Sequence, residues 1–87
     1  MKLGALPGGG PPIVERIREA IAQALPGAEV RVTAGQAGHF SVSVRSGLFQ
    51  NQSRLACQRL VYKAIGPLMS GDRAPVHAID QLETISS

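Results

Sequence analysis

Between residues 13 and 25 the apolar side chains Ile13, Val14, Ile17, Ala20, Ile21, Ala24 and Leu25 recur at steps of three and four, with Glu15, Arg16, Glu19 and Gln23 on the other side. At about 100° per residue this pattern predicts an amphipathic helix with one face for a core. Pro12 sets its start through a fixed φ, and Pro26 with Gly27 ends it by blocking continuation and supplying a flexible cap. The period then falls to two. Val30 and Val32 alternate with Glu29, Arg31 and Thr33, and Phe40, Val42 and Val44 alternate with His39, Ser41, Ser43 and Arg45. Two strands are expected, over residues 28–33 and from residue 39. Residues 34–38 between them are too many for a two-residue turn but suit a glycine-bearing hairpin loop, so the strands should be antiparallel.

The helical period returns after residue 53. Ala56, Cys57, Leu60, Val61, Ala64, Ile65 and Leu68 gather on one face, with Gln58, Arg59, Tyr62 and Lys63 opposite and Leu55 stranded among the polar positions. Ser53 is placed to cap this helix. Gly66 and Pro67 are expected to break or restart it, residues 69–75 to form a loop, and residues 76 to about 85 a last strand. The order is helix, strand, strand, helix, strand. A helical crossover within one sheet favours parallel strands and a right-handed connection. The expected fold is therefore a small α/β domain of the α+β kind, a three-stranded mixed sheet with both helices on one face.

Composition narrows this picture. The chain has 87 residues, enough for one domain that buries only ~60 to 65% of its unfolded surface. With Phe40, Phe49 and Tyr62 as its aromatics, the core must be built from Ile, Val, Leu and Ala, and no aromatic platform exists for stacking bases. The net charge of +3 permits nucleic-acid contact without demanding it. No apolar run reaches the ~20 residues of a membrane span, and a secretion signal is not expected. Residues 1–12, with Gly8, Gly9, Gly10, Pro11 and Pro12, read as a mobile tail ahead of a domain over residues 13–87. The lone Cys57 rules out a disulfide within the chain and a C-x-x-C motif, which fits a reducing, cytoplasmic setting.

His39 and Phe40 opening an alternating strand, Phe49, Asn51 and Ser53 in a Phe-x-Gly-x-Ser frame, Val61 and Tyr62 in the helix, and Val76, His77 and Ala78 before the last strand together resemble the BolA family. The resemblance spans roughly residues 13–85 and implies the same α-β-β-α-β architecture, similar to a type II KH domain. Asn51 stands where the family has Gly, and Asn is a common substitute at a positive-φ position. Gln58 and Arg59 replace the His-Arg of the best-known branch, which is similar to the IbaG (YrbA) branch.

The resemblance also implies chemistry. It makes His77 a ligand of an iron-sulfur cluster. On the residues alone, His77 reads as a hydrogen-bonded structural histidine, with Ile79 on its side of the strand marking a partly buried face. If Val76 and Ala78 face the helices, His77 projects to the uncovered face that also carries His39. His39 is the candidate second ligand or, equally, a hydrogen-bonding histidine at a strand start. Many relatives place a His or Cys in the preceding loop, and residues 34–38 contain neither. Cys57 lies centrally on the apolar helix face and reads as a packed, inert thiol.

A two-iron cluster needs four ligands, commonly cysteine with histidine as a known replacement. Two histidines and one packed cysteine cannot supply them. The resemblance supplies the remainder: a monothiol glutaredoxin whose cysteine, with glutathione, completes a shared [2Fe-2S] shell. The expected function is a non-catalytic adaptor in iron homeostasis and stress response, monomeric or weakly dimeric alone. Ligation requires neutral imidazole, so cluster binding should weaken in acid. The alternative is a KH-like nucleic-acid-binding transcription regulator using Arg54, Arg59 and Lys63, with Arg31 or Arg45. It lacks the Gly-x-x-Gly loop with which a KH domain clamps a backbone. No nucleophile with a base, paired carboxylates or phosphate loop points to an enzyme.

Overall fold

The structure is a computed structural model that describes residues 12–87. Apart from Pro12, the tail expected over residues 1–12 lies outside the described residues. The elements are α1 (Ile13–Ala24), β1 (Glu29–Ala34), β2 (His39–Ser46), a 3-10 turn over Gly47–Phe49, α2 (Arg54–Met69) and β3 (Ala78–Ser86). Their order is the one the periodicities predict. The sheet runs β1-β2-β3. β1 is antiparallel to β2, with Val30 aligned to Val44 and Val32 to Val42, and β3 is parallel to β2.

Ile17 and Ile21 of α1, Phe40, Val42 and Val44 of β2, and Cys57, Val61, Ile65 and Leu68 of α2 meet in one core with Leu25, Phe49 and Val76. Both helices thus cover the same sheet face, and each fully buried Ile or Val contributes about 1.5–3 kcal/mol. Alternation leaves Glu29, Arg31, Thr33, Ser41, Ser43 and Arg45 on the other face. There the Ser43 hydroxyl donates to Glu83 at 3.0 Å. On the exposed side of α1, Arg18 pairs with Glu15.

The caps follow local chemistry. Leu25 leaves the helical region while its N–H still bonds the Ile21 carbonyl, and Gly27 takes φ +84°. The Ser53 hydroxyl accepts from the Ala56 N–H at 3.0 Å. Asn51 sits at φ 64°, as its place in the Gly position requires.

Three expectations fail, each for a packing reason. α2 runs through Gly66 and Pro67 to Met69. Proline removes only the bond to the Lys63 carbonyl, in the last turn, while Leu68 is buried and Met69 packs on the core. The Ser70 hydroxyl also donates to the Gly66 carbonyl at 2.9 Å. Leu60 is 37% exposed, because the buried stripe is centred on Cys57, Val61, Ile65 and Leu68 and Leu60 falls at its margin. The last strand starts at Ala78 rather than residue 76. The Val76 N–H bonds the Leu68 carbonyl, tying that residue to the end of α2 and not to β2.

Candidate functional site

The hairpin loop between β1 and β2 closes on itself before β2 begins. The Gly35 N–H donates to the His39 carbonyl at 2.9 Å and the His39 N–H to the Gln36 carbonyl at 2.8 Å. Gly38, at φ +78°, then turns the chain into β2. Its carbonyl accepts from both His77 N–H, at 2.8 Å, and Ala78 N–H, at 3.1 Å. Gly38 is therefore the hinge point at which the segment entering β3 is fastened to the start of β2.

His77 lies directly against that glycine. A Cβ on Gly38 would stand 2.8 Å from both Cγ and Nδ1 of His77 and 3.2 Å from its Cβ. The imidazole thus occupies the space that any other residue at position 38 would fill. His77 is exposed while Val76 beside it is buried. The expectation that Ile79 shares the side of His77 is overturned, since Ile79 packs against the core.

Ile79 aligns with the core residue Phe40, whereas His77 precedes β3, so strand alternation does not reach back to it. A bulge follows: Ser41 aligns with Gln81, so Asp80 is an extra residue in β3. Asp80 turns to the uncovered face, where its Oδ1 lies 2.9 Å from Nδ1 of His39. Their side chains are 52% and 37% exposed. His39 itself aligns with Ala78, so Ala78 shares the side of His39 and does not face the helices as expected, and His77, one residue before β3, lies one position off His39 in the register, beside Gly38.

His39 and His77 are thus brought to one end of the sheet, with solvent access to both. Asp80 escaped the sequence reading, because a partner 41 positions from His39 is visible only through the strand register. Gly38 carried a signal, a glycine closing a loop, whose second use against His77 needs coordinates.

Cys57 is not part of this end. It is buried, and its thiol faces the Phe49 carbonyl at 3.9 Å. The donor set of the exposed end is therefore two imidazoles and a carboxylate, with no thiolate. Among the described residues no group of three or more His, Cys, Asp or Glu is placed to hold a metal ion. That set fits a share of a cluster's ligands rather than a full shell, given a requirement for four.

Arg54, Arg59 and Lys63 are exposed on α2. Arg31 and Arg45 are also exposed, but they stand on the sheet face opposite the helices, and Arg45 is aligned with Glu29. The strand arginines and the helix cations therefore form two separate surfaces. Near the strand pair, a shallow concavity lined by Arg31, Thr33, Ser41, Ser43, Gln81 and Glu83 mixes both charge signs. Among the described residues no helix is long and apolar enough to cross a membrane.

Comparison with known proteins agrees with this architecture. Residues 16–86 match the family described as BolA-like protein. The structure is similar to BolA1 from Arabidopsis thaliana, with TM-score 0.71 and 22% identity, covering 88% of this chain and 94% of that one. It is similar to a BolA protein homologue from Coxiella burnetii, with TM-score 0.67 and 32% identity over 83% of this chain and 87% of that one. Yeast Fra2 is also similar, with TM-score 0.63 and 27% identity over 84% and 77% of the two chains. No curated protein matches the sequence.

Proposed function

Because the chain belongs to the BolA family, we propose that it acts as a non-catalytic adaptor that pairs with a monothiol glutaredoxin and holds a shared [2Fe-2S] cluster. In this reading His77 is a ligand and His39 the second. The observation that carries it is the donor set: two solvent-accessible histidines fastened to one glycine, with the only thiol sequestered in the core. Such an end can complete a cluster whose remaining ligands are thiolates from a partner and from glutathione. Mixed imidazole and thiolate ligation raises a cluster's potential relative to all-thiolate ligation, as in Rieske centres. That chemistry suits relay or sensing in iron homeostasis.

The test is anaerobic co-reconstitution with a monothiol glutaredoxin, glutathione, iron and sulfide, followed by visible absorption and circular dichroism. The expected result is a heterodimer whose spectrum differs from that of the glutaredoxin homodimer and changes in both His77→Ala and His39→Ala. A heterodimer spectrum indifferent to His77→Ala would remove the ligand assignment. Failure to form any heterodimer would overturn the adaptor reading. It would turn attention to the exposed cations Arg54, Arg59 and Lys63 of α2 and to duplex DNA, where phosphate contacts would show as a steep salt dependence.

A further inference from the structure

We propose that Asp80 is a positioning residue that holds His39 by its Nδ1 edge and so presents Nε2 as the nitrogen offered to a metal, a role that rests on the cluster-binding reading above. The contact is Nδ1 to Oδ1 at 2.9 Å. A carboxylate only accepts, so the imidazole must turn a hydrogen toward it; a neutral ring has a single N–H, and placing it on Nδ1 leaves the lone pair on Nε2. The opposite tautomer would set the Nδ1 lone pair against a carboxylate oxygen, two acceptors with no hydrogen between them, and forfeit the contact.

The backbone is arranged to deliver this contact. Asp80 is the residue that the register with β2 does not need, since Ile79 and Gln81 take the consecutive alignments with Phe40 and Ser41. Its insertion puts a carboxylate on the uncovered face beside the first residue of β2. A Cβ on Gly35 would lie 4.0 Å from the second oxygen, Oδ2, so the loop passes close by without displacing it. His77 is placed by packing instead, its ring filling the space beside Gly38. Metal-binding histidines commonly donate their other ring N–H to a carboxylate or carbonyl, which fixes tautomer and orientation, and loss of such a partner typically weakens metal affinity 10–100-fold.

Long-range proton–nitrogen correlation spectra of the 15N-labelled protein alone, in mildly alkaline buffer, read the tautomer directly. Wild type should show His39 protonated at Nδ1. Asp80→Ala should move it toward the Nε2-protonated form that free histidine favours. Asp80→Asn should do the same while keeping the shape of the side chain, because an amide can donate as well as accept and no longer dictates the tautomer. In the reconstituted glutaredoxin heterodimer, both variants should hold the cluster about tenfold more weakly than wild type. An Nε2-protonated His39 in wild type, a tautomer unmoved by both substitutions, or unchanged cluster retention despite a moved tautomer would each overturn the proposal. A heterodimer cluster that fails to form even with wild type would sink the cluster reading and the ligand-positioning role with it. A formed cluster with an unmoved tautomer would sink only the role of Asp80.

Discussion

Replacing Gly38 by alanine tests the geometry of the histidine end without touching a histidine. Two costs combine. Position 38 lies at φ +78°, where an L side chain costs about 1–2 kcal/mol. The added Cβ also meets the His77 ring at 2.8 Å, an overpacking that costs about 1–3 kcal/mol if the neighbours hold their places. Together the loss should be about 2–5 kcal/mol, or a Tm lowered by roughly 4–8 °C for each kcal/mol.

Gly27 supplies the control. It has a similar φ, +84°, with nothing within 4 Å of its would-be Cβ, so Gly27→Ala should cost only the backbone share, about 1–2 kcal/mol. The assay is urea unfolding followed by far-ultraviolet circular dichroism on both variants and on Gly38→Ala in a His77→Ala background. Removing the ring should recover about 1–2 kcal/mol of the Gly38→Ala loss, a coupling of the size measured between touching residues. Equal losses at positions 27 and 38, or a coupling below about 0.5 kcal/mol, would refute the claim that the imidazole occupies the space beside Gly38.

Ile65 is fully buried and Leu55 exposed, so Ile65→Ala should lose about 2–5 kcal/mol while Leu55→Ala stays within about 0.5 kcal/mol in the same urea assay; similar losses would contradict the assignment of faces on α2. Cys57 should react with a thiol reagent only as fast as the domain unfolds, given its burial; rapid labelling of the native protein would place the thiol at the surface. The Arg18 guanidinium hydrogen-bonds Glu15 and holds its carboxyl below the ordinary carboxylate range. Its contribution to stability is therefore present above the unfolded-state pKa and lost as pH falls through the lowered folded value. Arg18→Ala should return that carboxyl to its ordinary titration in a carbon-13 NMR experiment, and an unchanged titration would exclude the pair.

The elements were legible because burial and period coincide. Ile17 and Ile21 of α1 and Phe40, Val42 and Val44 of β2 recur at the spacing their element demands, and all are in the core. Pro67 misled because its local cost is confined to one bond, whereas the burial of Leu68 is a tertiary gain invisible to a window of neighbours. Ile79 departs from the expected side because strand alternation begins only at Ala78 and does not extend back to His77, and no residue pattern marks Asp80 as the extra one. His39 and His77 could be named from their motifs. What holds them could not, since the partner of His39 depends on register and the seat of His77 depends on a side chain that Gly38 lacks.

The bulge makes β3 two rulers joined end to end. Ile79 holds an inward position on one, Leu82 and Thr84 on the other, and Asp80 takes up the offset between them. Deleting Asp80 would make the ladder regular and keep the alignments of Phe40 with Ile79 and Ser41 with Gln81. It would leave the packing intact while stripping His39 of its carboxylate. The residue is thus spare to the architecture and specific to the ligand end, so that end can be retuned by a single insertion or deletion without renegotiating the interior.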